Sequence, residues 1–139
     1  MKLMHLLEVS HAEVIQLADK FKAEYEGKAG EDAFGVSLKD LHCEGGNCSM
    51  ISNEFHSWLE KQGIKADDIN GEDPTNPKWN DGDKGSYPSD DPPPAIAAHT
   101  ATRIGSWVVD FNARQFDKKL PYPRITTVGD FDEEWKHVT

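Results

Sequence analysis

Two cysteines, Cys43 and Cys48, are all that this chain of 139 residues contains. So few exclude a disulfide-stapled framework. At this length none is needed, because a single domain of this size buries a core unaided. Long apolar runs are missing too: no stretch approaches the ~18 residues of a membrane span. The opening "MKLMHLLEVSHAEV" has one lysine and a short apolar run broken by His5 and Glu8. No small-residue cleavage site follows, so it does not read as a secretory signal. With two cysteines and no export signal, a reduced, cytoplasmic setting is expected, with delivery by a leaderless route left open.

Basic residues are scarce. Lys and Arg number 15 against 25 Asp and Glu, giving a formal net charge of −10. No Lys/Arg stripe is interleaved with aromatics. Phosphate backbones would be repelled, so neither nucleic acid nor a membrane is an expected partner. A protein or peptide with a basic segment complements this surface, although acidity also serves solubility alone. Bulky anchors are present: four Trp, six Phe and three Tyr argue against a disordered chain. No internal repeat is visible.

Local patterns then divide the chain. Ser10 with Glu13 makes a capping box. The "AEVIQLADKFKAEY" that follows places Val14, Leu17, Ala18, Phe21 and Tyr25 on one face of a helix over about 10–26. Gly27 and Gly30 are read as its stop. "AFGVSLKDLH" reads as a short strand or a loop. From about Cys48 to Gln62 the period is helical again, with Ile51, Phe55, Trp58, Leu59 and Gln62 on one face and Gly63 as terminator.

Residues 65–95, rich in Asp, Gly, Pro and Asn, read as one long acidic loop. Its length suggests a role in gating or selecting substrate. It lacks the alternating oxygens and distal Glu of an EF-hand, so calcium is not expected. Two apolar-alternating runs, 96–104 and 107–112, flank Gly105-Ser106 and predict an antiparallel hairpin. A further strand near 124–128 and a final helical turn docking Phe131 and Trp135 complete the reading. The expected fold is α+β in a single domain, 1–139.

Chemistry concentrates in "GGNCSM". Cys48 opens a helix, where the N-terminal field favours a thiolate. Gly46 and Asn47 before it leave the backbone open, and amides at the helix start suit an oxyanion. Cys43 has no helix to activate it. A nucleophilic cysteine needs a base, and the base needs an orienting group. With a two-residue turn at 105–106, Ile104 faces Trp107 and Ala101 faces Asp110. His99 is then a diagonal neighbour of Asp110 on the same sheet face, within side-chain reach. Two polar residues on apolar strands, placed to meet, suggest a triad of Cys48 as nucleophile, His99 as base and acid, and Asp110 as orienter.

"GGNCSMISNEFHSWLEKQG", then a histidine, then "WVVDFNARQFD" and "PYPRI" resemble the papain-like fold in its compact bacterial form. The chain is similar there to papain-fold toxin domains and transglutaminase-like proteins. The resemblance covers about residues 42–125. The family phrase D-x-T-A-R-Q-F stands here as "DFNARQF", with Asn112 in place of Thr. It implies a cysteine-bearing helix packed on a small antiparallel sheet. It also implies thiol chemistry on an amide or ester: peptide hydrolysis, glutamine deamidation or acyl transfer. Such chemistry needs no organic cofactor and no metal. By the same resemblance His42 is a candidate oxyanion donor. Asn47 and Gln115 are candidates for positioning the oxyanion or substrate.

Three rival readings stand beside this one. His42, Cys43, Cys48 and His56 make a candidate zinc set, but their spacing matches no common closed site. Cys43 and Cys48 are close enough for a disulfide switch. The acidic surface and scaffold would also suit a non-catalytic interaction or inhibitor protein.

Overall fold

The computed structural model describes residues 9–41, 48–72, 98–115, 119–134 and 136–137. The first helix, α1 (His11–Tyr25), begins as its capping box requires. The Ser10 hydroxyl accepts from the Glu13 amide at 3.2 Å, and the Ser10 amide donates to the Glu13 carboxylate at 3.1 Å. Val14, Ala18, Phe21 and Tyr25 are buried as their spacing predicts; Leu17 packs half-buried against them.

The next stretch departs from expectation. Two short helices follow, α2 (Lys28–Phe34) and α3 (Leu38–Leu41), so the segment read as strand or loop, 33–42, holds the end of one and the whole of the other. Gly30, read as a helix stop, lies inside α2. A Cβ there would stand 1.9 Å from the Tyr25 carbonyl oxygen, so the glycine permits α2 to fold back onto the end of α1. Seven- and four-residue helices show too few turns for a 3.6 period to register.

The cysteine helix, α4 (Cys48–Lys61), buries Ile51, Ser52, Phe55, Trp58 and Leu59. Gln62 lies past its end and is exposed. Phe21 of α1 sits at the centre of the aromatic core. Its ring centroid is 4.8 Å from that of Phe55, 5.7 Å from Trp58 and 5.1 Å from Phe111. These are tilted and edge-on contacts of the kind that aromatic quadrupoles favour.

Five antiparallel strands form one sheet in the order β4-β3-β2-β1-β5: β1 (Asp67–Glu72), β2 (Ala98–Ile104), β3 (Trp107–Asp110), β4 (Arg124–Thr127) and β5 (Lys136–His137). The architecture is therefore α+β. The hairpin has the expected register, with Ile104 opposite Trp107 and Thr102 opposite Val109, and Gly105 takes the positive φ of 60° that its tight turn needs. The second strand of the hairpin stops at Asp110, two residues short of the prediction.

The long-loop reading needs correction at its start. Residues 67–72 are a strand, paired with β2 from Asp67–Arg103 to Glu72–Ala98. "DDINGE" has one apolar side chain, so no alternation betrays it. Neighbouring backbone, not intrinsic preference, makes it a strand. The remainder of the acidic segment, 73–95, lies outside the described residues.

Strand alternation gives the sheet two covered faces. Ile104 and Val109 join the core built on α1 and α4. Ile69, Ala101 and Val108 pack with Phe131, which belongs to the last helix, α5 (Val128–Glu134). Phe131 thus docks as predicted, whereas Trp135 is outside the described residues. No described helix is long and apolar enough to cross a membrane.

Candidate functional site

Three elements converge at one edge of the α4–sheet interface. Cys48 is the first residue of α4 and is half-buried, with a free thiol. His99 lies near the start of β2 and is 2% exposed. Asp110 ends β3 and is 8% exposed. Across the hairpin, His99 Nε2 stands 2.5 Å from Asp110 Oδ2. His99 is also hydrogen-bonded to Cys48. The three predicted side chains are brought together, in the order Cys–His–Asp.

Electrostatics act on this set in a definite direction. Burial alone would lower the His99 imidazole. The charge of Asp110, its hydrogen bond and the contact with Cys48 outweigh burial and push His99 up to about 10. For Cys48, burial raises the thiol, and the Asp110 charge adds to that. The hydrogen bond and charge of His99, with a bond to the Thr100 backbone, reverse the balance and bring it below its ordinary value. A lowered thiol beside a raised imidazole favours a thiolate–imidazolium pair. The imidazole is buried, and the Asp110 carboxylate that faces it stabilises its charged form.

Asp110 is itself held. Its Oδ1 accepts from the Asn112 amide at 2.8 Å, a local turn in which the carboxylate bonds two residues ahead. That leaves Oδ2 for His99. Two arginines near it in sequence bond to backbone carbonyls: Arg103 Nε donates to the Gly105 carbonyl and Arg114 Nε to the Leu120 carbonyl. The Asn112 side chain is fully buried and donates to the Leu41 carbonyl at 3.1 Å. One residue thus joins the Asp110 turn to the end of α3.

Other predicted participants are placed less fully. His42 and Asn47 lie outside the described residues. Gln115 closes a 3₁₀ turn, Ala113–Gln115, directly after the Asp110 strand; its side chain is outside the described part. Of the proposed zinc ligands, His42 and Cys43 are not described. His56 Nδ1 is 3.6 Å from Asp68 and its Nε2 is 4.0 Å from Glu60. Among the described residues no group of three His, Cys, Asp or Glu is arranged to hold a metal.

Sequence reasoning missed two features. One is the Asn112 tether, whose signal was an amide side chain two residues after an acid at a strand end. The other is a buried hydroxyl pair, Ser52 and Thr102, with oxygens 2.7 Å apart. Ser52 falls on the same face of α4 as Cys48, one turn on, and reads as a tolerated small residue in an apolar stripe. No family model matches this chain, and no curated protein or solved structure matches it.

Proposed function

We propose that the chain is a thiol-dependent amide hydrolase or acyltransferase of papain-like type, acting through Cys48, His99 and Asp110. The observation that carries this reading is His99, buried and hydrogen-bonded both to the Asp110 carboxylate and to Cys48. Few structural roles call for a histidine so placed. Core histidines are satisfied more cheaply by neutral partners, since burying charge is costly. The papain-like assignment is supported by the setting: a cysteine opening a helix, that helix packed on an antiparallel sheet, and His and Asp on adjacent strands.

The chemistry follows from the protonation pattern. The Cys48 thiolate attacks the carbonyl carbon of an amide, and its electron pair moves to the carbonyl oxygen. As the tetrahedral species collapses, the C–N bond breaks and the His99 imidazolium gives its proton to the departing amine. A thioester on Cys48 remains. Neutral His99 then takes a proton from water or from an acceptor amine as that group attacks the thioester, and the C–S bond breaks with Cys48 leaving as the thiolate. Water gives hydrolysis or deamidation, and an amine gives acyl transfer. Asp110 keeps the imidazole oriented and stabilises its charged form. The net charge of −10 favours a basic segment of a protein or peptide as the substrate.

The test is to incubate the wild type and Cys48→Ala with glutamine- and lysine-rich basic peptides. Cleavage, ammonia release, amine incorporation and a mass increase on the Cys48 peptide are followed together. Any product that depends on Cys48, with an acyl adduct on that residue, is the expected result. No product and no adduct, with activated esters as well as peptides, would move the acidic interaction protein into first place.

A further inference from the structure

The Cys48–His99 contact depends on where the N-terminal end of α4 stands against β2. Most of the α4–sheet contact is apolar: Ile51, Phe55 and Leu59 against Ile104 and Val109. Such contact is non-directional and resists sliding weakly. A cavity of about 10 Å³, room for about one water, lies beside Cys48, with Ser52, Thr100, Thr102, Asp110 and Asn112 also in its lining.

Farther along the helix, the directional contact between α4 and β2 among the described residues is the hydroxyl pair. Ser52 Oγ and Thr102 Oγ1 are 2.7 Å apart and both residues are buried. With one proton on each hydroxyl, the pair bond leaves one proton over, for the Ser52 carbonyl at 3.4 Å if Ser52 donates to Thr102, or for Asp68 Oδ1 at 3.4 Å if Thr102 donates to Ser52. Ser52 follows Cys48 by four residues, which is about 6 Å along the helix axis. Thr102 follows His99 by three residues on β2. A hydrogen bond tolerates little change in length or angle, and a reacting constellation must be held within about 0.5 Å.

We infer that the Ser52–Thr102 hydroxyl pair is a positioning latch: it fixes the register of α4 on β2 and thereby holds Cys48 against His99. The inference rests on the thiol chemistry proposed above. Neither hydroxyl touches the reacting atoms; both act through the placement of sulfur.

The experiment is the pH profile of iodoacetamide labelling at the Cys48 peptide, read by mass spectrometry, with melting temperature measured alongside. The proteins are wild type, Thr102→Val, Thr102→Ser, Ser52→Ala and His99→Ala. Thr102→Val keeps the shape and removes the hydroxyl; Thr102→Ser keeps the hydroxyl and removes a methyl. The latch predicts that Thr102→Val and Ser52→Ala both move the labelling midpoint upward, with an about tenfold fall in rate on its acid side. Thr102→Ser restores the wild-type profile even if it melts earlier. If Thr102→Val fails to fold, Ser52→Ala carries the comparison. A wild-type profile in folded Thr102→Val or Ser52→Ala overturns the latch while leaving the triad in place. So does a profile shifted in Thr102→Ser but not in Thr102→Val, which would mark a packing effect. If wild type and His99→Ala label alike, the thiolate is not assisted by His99, and the functional reading falls together with the latch.

Discussion

His99 and Asp110 meet across a two-residue hairpin, Nε2 to Oδ2 at 2.5 Å, with the imidazole wholly buried. Two polar groups in an interior this apolar stabilise each other, and neither is well placed without its partner. Replacing Asp110 by Asn keeps the size but removes the charge that holds the imidazolium. The expected outcome is a folded protein whose turnover on any Cys48-dependent substrate falls by about 10²–10⁴, the usual worth of general acid–base catalysis. Steady-state kinetics with a circular-dichroism control checks this, and an unchanged rate would remove Asp110 from the site.

The pH dependence of stability has a sign that the paired shifts fix. His99 is raised from 6.5 to about 10, so its share of stability is complete below 6.5 and is lost as pH rises through about 10. Cys48 is lowered from 9.0, so its share is complete above 9.0 and is lost as pH falls through its folded value. Between the folded Cys48 value and 9.0, and above 6.5, the folded pair holds one proton, as thiolate and imidazolium. The unfolded pair also holds one, as thiol and neutral imidazole, so the pair leaves wild-type stability level there. Cys48→Ala keeps only the histidine half, and its stability should decline relative to wild type as pH rises from the folded Cys48 value to 9.0. Urea unfolding across that range reads the difference, and parallel curves would contradict the thiolate–imidazolium assignment.

Asn112 binds the Leu41 carbonyl with its side chain and the Asp110 carboxylate with its backbone. Asn112→Ala should destabilise the fold by about 1–3 kcal/mol, the cost of leaving a buried polar group unmade. Denaturant unfolding measures it. A change below a few tenths would show that the Leu41 carbonyl finds water instead.

Phe21 is fully buried and touches Tyr25, Phe55, Trp58 and Phe111. Phe21→Ala should cost about 3–5 kcal/mol through lost burial and the cavity left behind. Thermal unfolding gives the number. A small effect would mean that the aromatic cluster collapses around the gap.

Much of this was legible from the chain because the strongest signals are local. Ser10 and Glu13 announce a helix start three residues apart, and Gly105-Ser106 fixes a hairpin register from which the His99–Asp110 diagonal follows by counting. Cys48 at the head of an amphipathic helix was equally plain. Features that depend on distant neighbours were not. β1 is a strand because β2 lies beside it, and its own residues, "DDINGE", carry no period. The α2 and α3 helices are too short to show one. Ser52 and Thr102 each look ordinary in sequence, and only the crossing of α4 over β2 turns them into a buried pair.

The central claim is that His99 and Asp110 sustain a thiolate at Cys48. The most direct measurement is the rate of iodoacetamide labelling of the Cys48 peptide near neutral pH, in wild type, His99→Ala and Asp110→Ala, each carrying Cys43→Ser so that one thiol reports. The account predicts fast labelling in the wild type, sharply slower in both variants, with a midpoint below the ordinary thiol value only when His99 and Asp110 are both present. Equal rates in the three proteins, or an inert Cys48 in the folded wild type, would contradict it.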